Sequence, residues 1–450
     1  MGEQTLIRGR AMRILTKIVL LGLFLMLSAP GFLLGAENSA ARGNLNESQQ
    51  ERDARLRWWR EVRFGMFIHW GPVSLKGTEI GWSRGGERRG RTGTGSIPVE
   101  IYDNLYRQFN PVKFNADQWV QIAKDAGMKY LVFTSKHHDG FSMFDSKLTD
   151  YKITNSPFKR DVVKELADAC HKAGLKLGFY YSPVDWYHPD YRTAQHARYI
   201  EFLHGQIREL CTNYGRVDII WFDGLGGKAD DWDSENLFRI IRSLQPHAII
   251  NNRAGLPGDH DTPEQRIGRF QTGRAWETCM TLGRQWAWKP DDQIKSSQQC
   301  IQTLVRVVGG DGNFLFNVGP MPDGRIEPRQ AERLREIGRW LSKYGQSIYA
   351  TRGGPFKPGT WGASTHRDNR IYLHILDWQG ERLTLPAIDK KIVRGSLLTG
   401  GKADIKQSQD GITITVAEEH QQDKVTILEV ELDGSASEIE PLDVPSASSG

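Results

Sequence analysis

The chain has 450 residues, 39% of them hydrophobic and 10% aromatic, with a formal charge of +5. That length accommodates a barrel of roughly 250–300 residues together with a smaller domain. Residues 1–36 hold four basic residues and one acid, so the remainder carries +2, and its want of any basic cluster argues against a nucleic-acid partner.

The N-terminus has the layout of a secretory signal. Arg8, Arg10, Arg13 and Lys17 precede an apolar run over 18–27, which Ser28, Ala29 and Pro30 break before a small-residue site at Gly35-Ala36. Met12 is a second candidate start, and a retained anchor is the alternative to cleavage. An exported chain, secreted or periplasmic, is expected. No second long apolar run follows, so no stable membrane insertion is expected once residues 1–36 are removed. Residues 37–56 are expected to form a linker.

From residue 57 short apolar runs alternate with amphipathic ones. Strands are predicted at 64–69, 130–135, 175–181, 217–222, 248–252 and 313–318. Helices are predicted at 116–127, 161–173, 193–213, 234–244, 296–308 and 328–344. Asp161 and Ser234 suit N-caps, and Gly127, Gly174 and Gly215 suit helix stops. Such alternation gives a parallel sheet with helices packed on it. No glycine-rich phosphate loop follows the first strand, which argues against a nucleotide fold. The expected fold class is therefore α/β: a (β/α)8-like catalytic barrel over 57–349, with two of its units irregular. Beyond 350 the runs at 370–377, 381–386, 392–398, 412–416 and 424–432 are short and often alternating. They predict an antiparallel β-sandwich over 350–434, followed by a disordered tail over 435–450 rich in Ser, Pro and acids.

The four cysteines, Cys170, Cys211, Cys279 and Cys300, lack the close paired spacing of a zinc site. Two disulfides with three possible pairings, or buried thiols, both remain open at this level.

Polar residues gather where the strands end. The first ends at His69-Trp70, the second at Lys136-His137-His138-Asp139, and the third at Tyr180-Tyr181-Ser182. The fourth ends at Trp221-Phe222-Asp223 and the fifth at Asn251-Asn252-Arg253. One such group is ordinary hydrogen bonding, but five in succession converge on one barrel mouth. Metal binding by His69, His137, His138 and Asp223 is the first rival. Adjacent strand residues point to opposite faces, and no His-x-His pair occurs, so neither metal nor other cofactor is assigned. Glycoside hydrolysis needs two carboxyl groups, one to attack and one to protonate the leaving oxygen. Asp223 ends the most apolar strand, and Trp221, two residues earlier, faces the same way as a pocket floor. Candidates for the second carboxyl are Asp259, Asp261, Glu264 and Glu277.

The segments Phe64-Gly-Met-Phe-Ile-His-Trp-Gly71, Lys136-His-His-Asp-Gly-Phe141, Trp221-Phe-Asp-Gly224, Asp261-Thr-Pro-Glu264 and Trp276-Glu-Thr-Cys-Met-Thr281 resemble, in that order, the α-L-fucosidases of glycoside hydrolase family 29. The resemblance runs from about 58 to 349, with a β-domain after it. It implies a retaining exo-glycosidase with a double-displacement mechanism and Asp223 as nucleophile. Its acid/base maps onto Glu264, with Glu277 as competitor. Sugar-binding positions map onto His69, His137, His138, Tyr180, Trp221 and Arg253. Where family members commonly carry a Glu-Trp pair, this chain has Glu79-Ile-Gly-Trp82, so Glu79 and Trp82 are carried over together. Trp286, with Trp288 nearby, is expected to close over the sugar methyl. The implied partners are fucosylated oligosaccharides, glycoproteins or polysaccharides, and no pattern addresses oligomeric state. The alternatives are a related exo-glycosidase acting on another deoxy or galacto-configured sugar, and a catalytically silent sugar-binding barrel.

Overall fold

The computed structural model describes residues 47–445, so the signal-like segment and the first half of the expected linker lie outside the described residues. The part of the expected linker that is described is helical instead. Helix α1 (Gln49–Val62) starts at Ser48, whose hydroxyl accepts from the Glu51 N–H while Glu51 reaches back to the Ser48 N–H.

Seven parallel strands follow: β1 (Phe64–Ile68), β2 (Tyr130–Lys136), β3 (Lys176–Tyr181), β4 (Ile219–Phe222), β5 (Ile249–Ile250), β6 (Glu277–Thr281) and β7 (Asn313–Val318). Their order is β5-β4-β3-β2-β1-β7-β6. Helices α2 (Ala116–Asp125), α3 (Val162–Ala173), α4 (His196–Asn213), α5 (Ser234–Leu244), α6 (Ser297–Gly309) and α7 (Pro328–Tyr344) connect or follow them. Asp161 caps α3 as expected, accepting from the Lys164 N–H, whereas the residue before α5 is Asp233 and Ser234 lies inside the helix.

The gap between β5 and β6 is bridged by an irregular stave, residues 259–265. Asp259 N of the stave donates to Ile250 O of β5 at 2.6 Å, and Asn252 N, just after β5, donates back to His260 O at 3.1 Å. On the other side Glu277 N donates to Asp261 O at 2.8 Å, and Cys279 N to Pro263 O at 3.1 Å. Backbone hydrogen bonds therefore cross the gap on both sides of the stave, as closing a barrel requires. Asp259 anchors the start of this stave: it accepts from Arg55 of α1 at 2.7 and 2.8 Å and from Arg242 of α5 at 2.7 Å.

The lumen is packed in layers by alternate strand residues, among them Phe67, Tyr130, Val132, Tyr180, Ile219, Trp221, Ile249, Cys279 and Leu315. Leu56 and Trp59 of α1 belong to the same cluster. Gly65 pairs with Tyr130 across β1 and β2, and a side chain at Gly65 would occupy the Tyr130 ring. The missing side chain lets that ring lie across the lumen.

From Arg352 the sheets change character. A five-stranded sheet (β12-β15-β10-β9-β8) and a three-stranded one (β11-β14-β13) enclose a second core that includes Phe356, Ile371, Leu373, Ile414 and Leu428. These strands are β8 (Arg352–Gly353), β9 (Gly362–Arg367), β10 (Arg370–Ile375), β11 (Arg382–Leu385), β12 (Ile392–Leu397), β13 (Asp404–Gln407), β14 (Ile412–Thr415) and β15 (Thr426–Leu432). The expected disordered tail is corrected over its described part. Ala436 is buried, and Leu442 exchanges backbone hydrogen bonds with Pro355 and Lys357, both at 2.8 Å. Its few apolar residues find a core that composition alone does not reveal. The four cysteines are free and buried.

Candidate active site

Every strand-end group singled out in the sequence lies at one end of this barrel. A chamber there is lined by Phe67, His69, Trp82, His137, Tyr180, Trp221, Asp223, Leu225, Arg253, Glu264, Cys279 and Trp286. It opens into a cleft of about 720 Å³ whose walls include Asp223, Arg253, Glu264, Asn252, Asp261, Arg91 and Arg274. Parallel strands run in one sense, so their C-terminal ends and the loops after them share a face.

Asp223 follows the last residue of β4 and is held from three sides. The Tyr180 hydroxyl donates to its Oδ2 at 3.0 Å, Arg253 Nη1 donates to its Oδ1 at 3.3 Å, and His138 Nε2 lies 3.5 Å from Oδ2. Burial pushes the carboxyl up, but His138 once protonated, the Arg253 guanidinium and the Tyr180 hydroxyl outweigh it and hold it below its usual range. Trp221 floors the chamber as expected. Its ring stacks on Tyr180, with centroids 5.6 Å apart, and the Arg253 guanidinium lies 4.8 Å from its centroid.

Glu264 projects from the closing stave. The same Arg253 Nη1 donates to its Oε2 at 2.7 Å. Two oxygens bonded to one nitrogen at these lengths are at most about 6 Å apart, short of the roughly 6.5–9.5 Å between the carboxyls of inverting glycosidases. Arg253 is itself fixed by Thr262, which accepts at its side chain (2.7 Å) and its carbonyl (2.8 Å).

The other carboxyl candidates are engaged elsewhere. Glu277 is 1% exposed and lies one layer below the chamber, where Tyr130 and Trp221 donate to it, the latter at 3.1 Å. Strand parity explains this: Glu277 and Cys279 both face the lumen, but Cys279 is nearer the mouth and lines the chamber. Asp259 is enclosed by Arg55 and Arg242, which overcome burial and hold its carboxyl far below the ordinary range. Asp261 pairs with Arg274 at 2.7 Å.

His69 and His137 line the chamber. His69 Nδ1 donates to Asn317 Oδ1 at 2.7 Å, and Asn317 donates in turn to Trp286 O at 2.8 Å, so His69 Nε2 is left to accept from a ligand. Burial lowers His69 to about 3 and His138 to about 4, so both rings are neutral near pH 7. His137 and His138 do not diverge as a strict strand would require. They follow the end of β2, and their centroids are 4.2 Å apart. His138 itself is fully buried behind Asp223, with Nδ1 2.6 Å from Ser182 Oγ, and does not line the chamber.

Glu79 differs from its expected sugar-facing place. Its oxygens accept from the Trp286 and Ala287 amides at 2.9 and 3.1 Å, so it clamps the loop that presents Trp286. Trp82 and Trp286 do line the chamber, and Trp288 does not. Residues of the site that the sequence does not point to are Phe67, Leu225, Cys279 and Asn317. Phe67 was recoverable from strand parity with His69. The others depend on loop and cross-barrel geometry.

Comparison with known proteins agrees with this geometry. A family model described as alpha-L-fucosidase matches residues 33–346. The human plasma alpha-L-fucosidase is 32% identical over 362 residues, covering 71% of this chain and 76% of that protein. Among solved structures, α-L-fucosidase isoenzyme 1 of Paenibacillus thiaminolyticus is 36% identical with a TM-score of 0.77, covering 85% of this chain and 99% of that one. A Bacteroides thetaiotaomicron family 29 α-L-fucosidase, trapped as a covalent intermediate with 2-fluoro-fucosyl fluoride, is 28% identical with a TM-score of 0.76, covering 87% and 99%. The barrel, its carboxylate-bearing mouth and these matches together place the chain in the α-L-fucosidase family, glycoside hydrolase family 29, as a glycoside hydrolase.

Proposed function

We propose that the chain is a retaining exo-α-L-fucosidase in which Asp223 is the nucleophile and Glu264 the general acid/base. The observation that carries this reading is the single Arg253 nitrogen shared by the two carboxylates. In the first step an Asp223 oxygen bonds to the anomeric carbon as the glycosidic C–O bond breaks. Glu264, in its acid form, gives its proton to the departing oxygen. In the second, Glu264 takes a proton from water, the water oxygen bonds to the anomeric carbon, and Asp223 leaves as carboxylate. Asp223 suits attack because it stays ionised. Glu264 suits proton exchange because its side chain is 40% exposed, within reach of both leaving group and water.

The chamber also suits a 6-deoxy sugar. Phe67, Leu225, Cys279 and Trp286 offer apolar surface, while His69, His137 and Arg253 offer polar atoms to ring hydroxyls. A silent sugar-binding barrel has no use for two carboxylates on one guanidinium. NMR of the first product from an aryl α-L-fucoside tests the mechanism: the α-anomer is expected first, and initial β-fucose would overturn it. The signal-like segment 1–36 supports export, tested by N-terminal sequencing of the protein recovered from the periplasm or medium.

A further inference from the structure

His137 presents a ring to the chamber, yet its Nδ1 is buried and makes no hydrogen bond among the described residues. Such a ring is held by packing alone. One side is the Tyr180 ring, parallel to it within 5° at 5.3 Å. On another side lies the backbone of Gly81, at φ +65°, where a Cβ would come within 2.6 Å of His137 Nδ1. Glycine permits both this left-handed conformation and this approach.

Gly81 in turn is fixed by a buried relay. Its N–H donates to the Tyr102 hydroxyl oxygen at 2.8 Å, and that hydroxyl donates to Asp139 Oδ2 at 2.7 Å. Tyr102 and Asp139 are each 3% exposed, and neither lines the chamber. Burial raises the Tyr102 phenol strongly, so it keeps its one proton and the direction of the relay is set. Asp139 lies two residues after His137 in the turn where Gly140 N donates to His137 O at 3.0 Å. The relay thus ties the loop that carries Gly81 and Trp82 to the loop that carries His137.

We propose that Tyr102 and Asp139 are positioning residues for sugar recognition, acting in series to press Gly81 against the His137 ring and so to aim its Nε2 into the chamber. The proposal rests on the fucosidase reading and adds residues that never touch the sugar.

The test is kinetic, with the full chain. Tyr102→Phe removes one hydroxyl. A ring that binds the sugar alike in ground and transition states affects KM rather than kcat. We expect KM for an aryl α-L-fucoside and the inhibition constant of L-fucose each to rise about tenfold, with kcat within twofold. Adding Asp139→Ala to Tyr102→Phe is expected to raise KM no further, because both act through one relay. Tyr151→Phe, a buried hydroxyl near the same site but outside the relay, serves as the control and is expected to behave as wild type. Should Tyr102→Phe not fold, Gly81→Ala tests the same contact and is expected to raise KM likewise. Unchanged KM and L-fucose inhibition, a loss confined to kcat, or additive effects in the double variant overturn the relay. Wild-type turnover, which tests the fucosidase reading itself, stays intact in each of those outcomes.

Discussion

Asp223, at the end of β4, and Glu264, on the irregular closing stave, accept from the same guanidinium nitrogen of Arg253, at 3.3 and 2.7 Å. The two acids come from segments of different character, and one cation sets their separation. Each is therefore sensitive to changes at Arg253.

Removing the proposed nucleophile tests the central assignment. Asp223→Ala is expected to lower kcat/KM on an aryl α-L-fucoside by at least ~10³-fold, about 4 kcal/mol of transition-state stabilisation. Thermal melting is expected to stay near wild type, because the residue sits at the mouth rather than in the packed lumen. Near-normal turnover in a folded variant sinks the assignment.

Glu264 and Glu277 separate by leaving group. Glu264→Ala is expected to lose most activity on natural glycans and less on an aryl fucoside with an acidic leaving group, with azide restoring turnover. Glu277→Ala is expected to cost stability instead. The buried Tyr130 hydroxyl and Trp221 N–H would each lose a partner, at roughly 1–3 kcal/mol apiece. Azide rescue of Glu277→Ala rather than Glu264→Ala reverses the roles.

Arg253→Lys keeps the charge but loses the planar fork that holds Thr262 and reaches both acids. kcat/KM is expected to fall about 10- to 100-fold. Asp223 is held low partly by Arg253, so weakening that contact raises its pKa. The acid limb of the pH–rate profile should move to higher pH, and a limb that stays or moves down contradicts the role given to Arg253.

The buried histidines predict acid sensitivity. His69 titrates at about 3 and His138 at about 4 in the fold, against about 6.5 unfolded. Between those values the unfolded chain binds protons that the folded one refuses, so stability falls as pH drops from 6.5 toward 4. The contribution is on the order of 3 kcal/mol per histidine by pH 4. Melting temperature across this range is expected to fall more steeply for wild type than for His69→Gln. Parallel curves exclude His69 as a source.

Much of the site was legible as local pattern. An apolar strand that ends in an acid, as 219–223 does, announces a mouth residue, and Trp221 follows by the two-residue period of a strand. His69, His137, Tyr180 and Arg253 fall at strand ends for the same reason. The closing stave was not legible. Residues 259–265 bond to β5 on one side and toward β6 on the other, and carry no periodicity of their own. In the sequence Glu264 therefore stands first only by resemblance, with Glu277 as its competitor and Glu79 as a further polar neighbour of the sugar. Tertiary structure sets them apart by depth and partners. Glu264 stands at the mouth on Arg253, Glu277 lies a layer down beneath Cys279, and Glu79 is consumed by the Trp286 loop. A sequence determines which faces of its strands are apolar and which ends are polar. How far along the lumen a side chain stands, and what already holds it, depends on the register between strands distant in the chain.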